Sequence, residues 1–127
     1  MEPRPTASDV VCREKISSFR QLEEESGTTV LVSVIDLFIE RTPPMFKDVR
    51  RAILSNDITR IARLGHTIKG SCSNFGAQRM KAACERLESA TRTGGDRAGM
   101  LATLDDIERE FGLVRSALQA ELEVKIA

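Results

Sequence analysis

Ile61-Ala62-Arg63-Leu64-Gly65-His66-Thr67-Ile68-Lys69-Gly70-Ser71-Cys72-Ser73-Asn74-Phe75-Gly76-Ala77 decides how the chain is read. With residues set about 100° apart, Ile61, Leu64, Gly65, Ile68, Cys72 and Phe75 fall on one side, and His66 points about 140° away from them. Ala62, Lys69 and Ser73 flank His66, the only histidine in the chain. An apolar stripe of this period with a polar opposite face predicts a helix lying on a core. Ser55-Asn56-Asp57 is its start signal, and Gly76 closes it because glycine tolerates positive φ.

The same period extends in both directions. Upstream, Leu31, Val34, Ile35 and Phe38 predict a helix opened by Thr28 or Thr29. Thr42-Pro43-Pro44 interrupts it, yet the apolar phase resumes with Phe46, Val49 and Ile53. The segment is either one long helix kinked at the prolines or two stacked helices with Thr42 as cap. Nearer the N-terminus, a short helix capped by Ser8 or Asp9 is expected to bury Val10, Ile16, Phe19 and Leu22 and to end at Ser26-Gly27. Residues 1–8, with two prolines, read as a loose tail, which leaves 9–127 as one domain.

Downstream, Met80, Cys84 and Leu87 mark a helix from Ala77 to about Thr93, and Thr93-Gly94-Gly95-Asp96 is the clearest loop. A last helix from about Arg97 to Val124 carries Leu101, Leu104, Ile107, Phe111, Val114, Leu118 and Leu122 inward. That stripe reads as bundle core rather than a dimer seam, so a monomer is expected. No segment has a period-two strand pattern. The predicted class is all-α: an antiparallel up-down four-helix bundle with an additional short N-terminal helix.

Composition narrows the function. Lys plus Arg and Asp plus Glu are 19 each, so the net charge is zero, which argues against nucleic acid as the main partner. Trp and Tyr are absent, so stacking platforms for bases or sugars are scarce. No apolar run approaches the roughly 20 residues that span a bilayer, and no signal peptide is visible, so a cytoplasmic domain without a membrane partner is expected. Cys12, Cys72 and Cys84 form no CxxC pair, and a single histidine completes no zinc set of convincing spacing. Reduced thiols are expected, with Cys72 and Cys84 in the core. Glu23-Glu24-Glu25 and Asp105-Asp106 read as solvated faces, not metal sites.

His66 carries the chemistry. Neutral imidazole is a good nucleophile near pH 7 and can attack a phosphoryl group in line. Lys69, at i+3, shares its face and can offset phosphoryl charge. Gly70 costs about 1 kcal/mol mid-helix relative to alanine. Close approach by another molecule explains such a cost, because a missing side chain clears a path to the ring. Ala62 and Ser73, also small, extend the bare platform for a partner. No nucleotide-binding loop of the GxxxxGK[ST] or GxGxxG kind is present, so a donor must bring the phosphoryl group. Ser71 and Ser73 have no base in sight and are weak candidates for a nucleophile.

His66-Thr67-Ile68-Lys69-Gly70-Ser71, then Phe75-Gly76-Ala77 and Cys84-Glu85-Arg86-Leu87-Glu88, resembles the signature of histidine-containing phosphotransfer (HPt) domains. That pattern is HxLKGSS, a Gly-Ala pair and a Leu-Glu in the next helix. Asp57, and Phe38 with Pro43-Pro44, add to the likeness, which runs from about Ile16 to Leu122. The resemblance implies a phosphorelay intermediate without kinase activity of its own. His66 would be the phosphoacceptor, Lys69 the phosphate-stabilising residue and Gly70 the clearance residue. Partners would be response-regulator receiver domains and a hybrid histidine kinase. The receiver would supply Mg²⁺ and the acidic pocket, so the chain needs no cofactor. Gly65 stands where the family often has alanine and is expected to loosen packing, and Cys72 stands where serine or alanine is common. Two other readings stay open: the phosphoacceptor domain of a chemotaxis-type histidine kinase, and a helical interaction module in which His66 is incidental. Met1, and an end soon after the last helix, favour a separate carrier over the kinase domain.

Overall fold

The computed structural model describes residues 10–27 and 29–126, with side chains through 123. The expected tail 1–8, the caps Ser8 and Asp9, and Thr28 lie outside the described residues. The helices are α1 (Arg13–Ser26), α2 (Leu31–Leu54), α3 (Ile58–Ser73), α4 (Gln78–Thr93) and α5 (Arg97–Ile126). No strand occurs among the described residues. Helices α2 to α5 form an up-down bundle in which α3 packs on α2 and α4, and α5 on α2 and α4; α1 packs on α2.

One helix, α2, runs unbroken through Pro43 and Pro44. Each proline removes a backbone donor and costs about 3 kcal/mol inside a helix. Against that, α2 buries Leu31, Ile35, Phe38, Phe46, Val49 and Ile53 on one stripe. Each such side chain contributes about 1.5–3 kcal/mol when fully buried. The stripe keeps its phase across the prolines, so tertiary burial outweighs the local penalty.

The ends of α3 fix its position. Asp57 Oδ1 accepts from the Arg60 backbone N–H at 3.2 Å, a side-chain cap. Asn56 turns the chain into it at φ +58°, a left-handed conformation in which asparagine is enriched. At the other end, Gly76 has φ +60°, and a Cβ there would overlap Cys12. The segment before α1 passes close to this turn, with Cys12 N–H donating to Phe75 O at 2.7 Å. Glycine is thus required at 76 on both counts.

The five phenylalanines form one chain of contacts through the core. Phe19 meets Phe75, Phe75 meets Phe38, Phe38 meets Phe111 and Phe111 meets Phe46, with ring centroids 5.2–6.2 Å apart. These spacings suit edge or tilted aromatic pairs. Through them α1 is joined to the C-terminal turn of α3, and α2 to α5. Arg20 of α1 also reaches Glu121 of α5 at 3.0 Å. On α5, Leu104, Ile107, Phe111, Val114 and Leu118 are buried, as the stripe predicts.

The sequence reading is corrected at a few positions. Helix α1 starts at Arg13 with Cys12 as its N-terminal cap position, so Val10 precedes it. Leu22, expected inward, is 48% exposed. A single amphipathic helix laid on the outside of a bundle buries only its inner edge, here Ile16 and part of Phe19. Helix α3 ends at Ser73, so Phe75 belongs to the following turn while still filling the core.

Cys72 and Cys84 are fully buried. A hydrogen bond with Cys72, followed by burial, holds the Cys84 thiol well above the ordinary thiol range. A thiol kept neutral in this way is a poor nucleophile. Two outcomes are expected. Cys72 and Cys84 stay unmodified by N-ethylmaleimide in the native protein and react once it is unfolded, which mass spectrometry reads directly. In urea titrations, Leu104→Ala lowers stability by about 2–5 kcal/mol, whereas Leu22→Ala changes it by less than about 0.5 kcal/mol.

Candidate functional site

Burial of Ile61, Gly65, Ile68 and Cys72 sets the rotation of α3 about its own axis. With that face pinned to the core, the opposite face must be solvent-facing. His66 lies there, its side chain 76% exposed. Gly70 is exposed one turn later, Ala62 is half-buried one turn earlier, and Ser73 is exposed two turns later. The platform expected from the sequence is therefore assembled on one helix.

Lys69 does not stand free in solvent beside His66. Its side chain is only 24% exposed, because it leans toward α4 and pairs with Glu88. Nζ lies 3.2 Å from Glu88 Oε2, and the other carboxylate oxygen, Oε1, lies 3.5 Å from His66 Nδ1. Glu88, with a side chain 13% exposed, sits beneath both. One carboxylate from α4 thus faces the imidazole and the ammonium of α3. Glu88 was quoted in the sequence pattern but given no role. Its Leu-Glu position was visible, but the contact depends on the register of two antiparallel helices, which one helical wheel cannot supply.

The two glycines differ in their reasons. At Gly65, an added Cβ would lie 3.4 Å from Glu88 Cγ and 3.8 Å from Leu87 Cδ2. This glycine is buried where α3 and α4 approach, so it tightens the crossing rather than loosening it. At Gly70, a Cβ would meet nothing within 4 Å. No neighbour in the fold demands glycine there. Its helix cost is therefore not repaid by packing within the fold.

The hydroxyls around His66 are engaged by their own helix. Thr67 Oγ1 donates to Arg63 O at 3.0 Å, Ser71 Oγ to Thr67 O at 3.4 Å and Ser73 Oγ to Lys69 O at 3.5 Å. Back-bonding of this kind is a structural use. Beside the site, a groove between α2 and α3 is lined by Leu37, Arg41, Met45, Ser71 and Asn74, and another between α1 and α3 by Lys15, Phe19, Leu22, Ser73 and Asn74. Leu37 is 47% exposed. Among the described residues, no group of three or more His, Cys, Asp or Glu could hold a metal ion. No helix among them is long and apolar enough to cross a membrane.

A model of the Hpt domain matches residues 33–124, which contain α3, α4 and the whole site. The chain belongs to the Hpt domain family. Histidine phosphotransfer in two-component phosphorelays is the function of that family. Among its relatives, this Hpt chain is 23% identical over 113 residues to pseudo histidine-containing phosphotransfer protein 1 of Oryza sativa subsp. japonica, covering 87% of this chain and 60% of that protein. It is 23% identical over 108 residues to histidine-containing phosphotransfer protein 4 of Arabidopsis thaliana, covering 84% of each. The fold is similar to the crystal structure of the histidine-containing phosphotransfer protein ZmHP2 from maize, with a TM-score of 0.81 and 24% identity over 96% of this chain and 91% of that one.

The glycine geometry has a measurable consequence. Gly70→Ala is expected to raise stability by up to about 1 kcal/mol, since the methyl enters open space and the helix gains propensity. Gly65→Ala is expected to gain no more than that, because its methyl presses on the Glu88 stem. Thermal or urea unfolding of the two variants checks both, and a loss of stability at Gly70→Ala would show that the glycine serves the fold.

Proposed function

We propose that this Hpt domain is a phosphocarrier that relays a phosphoryl group between receiver-domain aspartates through phospho-His66. The observation that carries the reading is a single imidazole, exposed on a helix face where Ala62, Gly70 and Ser73 are small, with an ammonium held one turn away. The ring is open to in-line attack on a phosphoryl group presented by another protein. Lys69 is placed to offset charge on the phosphoryl oxygens during transfer. Gly70 leaves room for the partner, and Ala62 and Ser73 extend the surface it covers.

Phosphoryl transfer requires positioning and charge stabilisation above all. Most of that apparatus is assigned to the partner. A receiver domain would bring the aspartyl phosphate and its Mg²⁺, and a hybrid histidine kinase would stand upstream as the source. The receiver is placed across α3, with Leu37 of α2 and Leu22 of α1 on either side of the groove residues Ser73 and Asn74. Exposed leucines beside a polar reactive residue supply contact area, which Gly70 allows to close over His66. The chain itself acts as carrier and makes no nucleotide chemistry.

The test is transfer of labelled phosphate from a panel of phosphorylated receiver domains. Wild type is expected to take up acid-labile, base-stable label, and His66→Gln none, with an unchanged melting curve because the side chain is exposed. Gly70→Gln is expected to fold at least as stably as wild type and to lose transfer by obstructing the partner. Equal transfer by that variant would remove the clearance role, and label retained by His66→Gln would remove the assignment of His66.

A further inference from the structure

We propose that Arg63 is a second phosphoryl-contacting residue, which grips the group carried on His66 from the side opposite Lys69. This inference rests on the reading of His66 as the phosphate carrier and adds to it the residue that completes the charge around the phosphoryl group.

A charge count motivates it. Lys69, the cation placed to meet the phosphoryl oxygens, is already paired with Glu88 at 3.2 Å, the two side chains being 24% and 13% exposed. Together they sum to zero. The second oxygen of that carboxylate lies 3.5 Å from His66 Nδ1, so an anion sits close beneath the ring. A phosphoryl group brings about two negative charges near neutral pH. Between release by one receiver and capture by the next, the chain holds that charge without the receiver's Mg²⁺. A further cation on the same face is then needed to offset it.

Arg63 has the right place. It precedes His66 by three residues, which sets their Cβ atoms about 5–6 Å apart. Around the axis of α3 it lies about 60° to one side of His66, and Lys69 lies about 60° to the other. A helical side chain covers the turn N-terminal to its own Cα, so the imidazole extends over the turn that carries Ala62 and Arg63.

Arg63 is also uncommitted. Its side chain is exposed. Its backbone carbonyl accepts from Thr67 Oγ1 at 3.0 Å, but its guanidinium has no ion pair or hydrogen bond among the described residues. Helix α3 carries no acidic residue between Ile58 and Ser73. The guanidinium edges an open groove shared with Asp57, Thr59, Arg60 and Leu64, and Asp57 Oδ1 there is occupied by the Arg60 backbone N–H at 3.2 Å. Its planar fork of donors matches two phosphoryl oxygens, which an ammonium cannot do. No bond to Arg63 forms or breaks during transfer, and it stays protonated throughout. Arg60, about 120° round the helix from His66, lies outside this contact.

The test loads the full chain with phosphoramidate, which phosphorylates an exposed imidazole without a protein donor. The ring lone pair forms the N–P bond as the P–N bond of the reagent breaks, and ammonia leaves with the electron pair. His66 is the only histidine, so one ³¹P resonance reports the loaded site, and its shift is followed against pH. A cation in contact favours the dianion and lowers the pH at which the phosphoryl group titrates. Arg63→Gln is expected to raise that pH by about half a unit or more. Arg63→Lys is expected to recover part of the difference, and Arg60→Gln to match wild type. An unchanged titration in Arg63→Gln, or an equal shift in Arg60→Gln, overturns the proposal. Loading by the reagent needs no receiver, so that failure is distinct from failure of the relay reading, in which no phosphorylated receiver labels wild type.

Discussion

Everything at the site depends on the rotational setting of α3. Ile61, Gly65, Ile68 and Cys72 are pressed into the core, and a helix pinned along one stripe has no freedom to turn. That burial is non-directional hydrophobic packing, yet its effect is directional: it presents one imidazole to solvent. The Asp57 cap at one end and the Gly76 turn at the other hold the same helix along its axis.

The second constraint is the close pairing of α3 with α4. The turn around Gly76 sets their register, and the missing side chain at Gly65 sets their approach. Together they bring Glu88 under His66 and Lys69. The ion pair between Lys69 and Glu88 is largely shielded from solvent, so desolvation offsets much of its attraction and its clearest effect is on geometry. It fixes an ammonium that would otherwise sample many rotamers, beside the imidazole ring. Gly70, by contrast, contributes nothing inside the fold.

Much of this was legible in the sequence because helical periodicity is a local signal. The stripe on α3, the outward direction of His66 and the inward residues of α5 all follow from spacing within one segment. Three features needed the tertiary structure. Continuity of α2 through Pro43 and Pro44 is a contest between local cost and distant burial, and only the packed core decides it. Leu22 keeps the apolar phase of α1 but lies outside the contact with the bundle, because a peripheral helix buries a narrower edge than its pattern suggests. The turn of Lys69 toward Glu88 depends on inter-helix register, and no single-helix reading contains it.

The measurement that bears most directly on the central claim is residue-level localisation of the phosphoryl group. Protein exposed to a phosphorylated receiver would be digested near neutral pH and fragmented by electron transfer, which preserves the N–P bond. The account predicts one modified residue, His66, within the α3 peptide. Phosphate found instead on Thr67, Ser71 or Ser73, or an unmodified α3 peptide beside a receiver that has lost its phosphate to another residue, would contradict it.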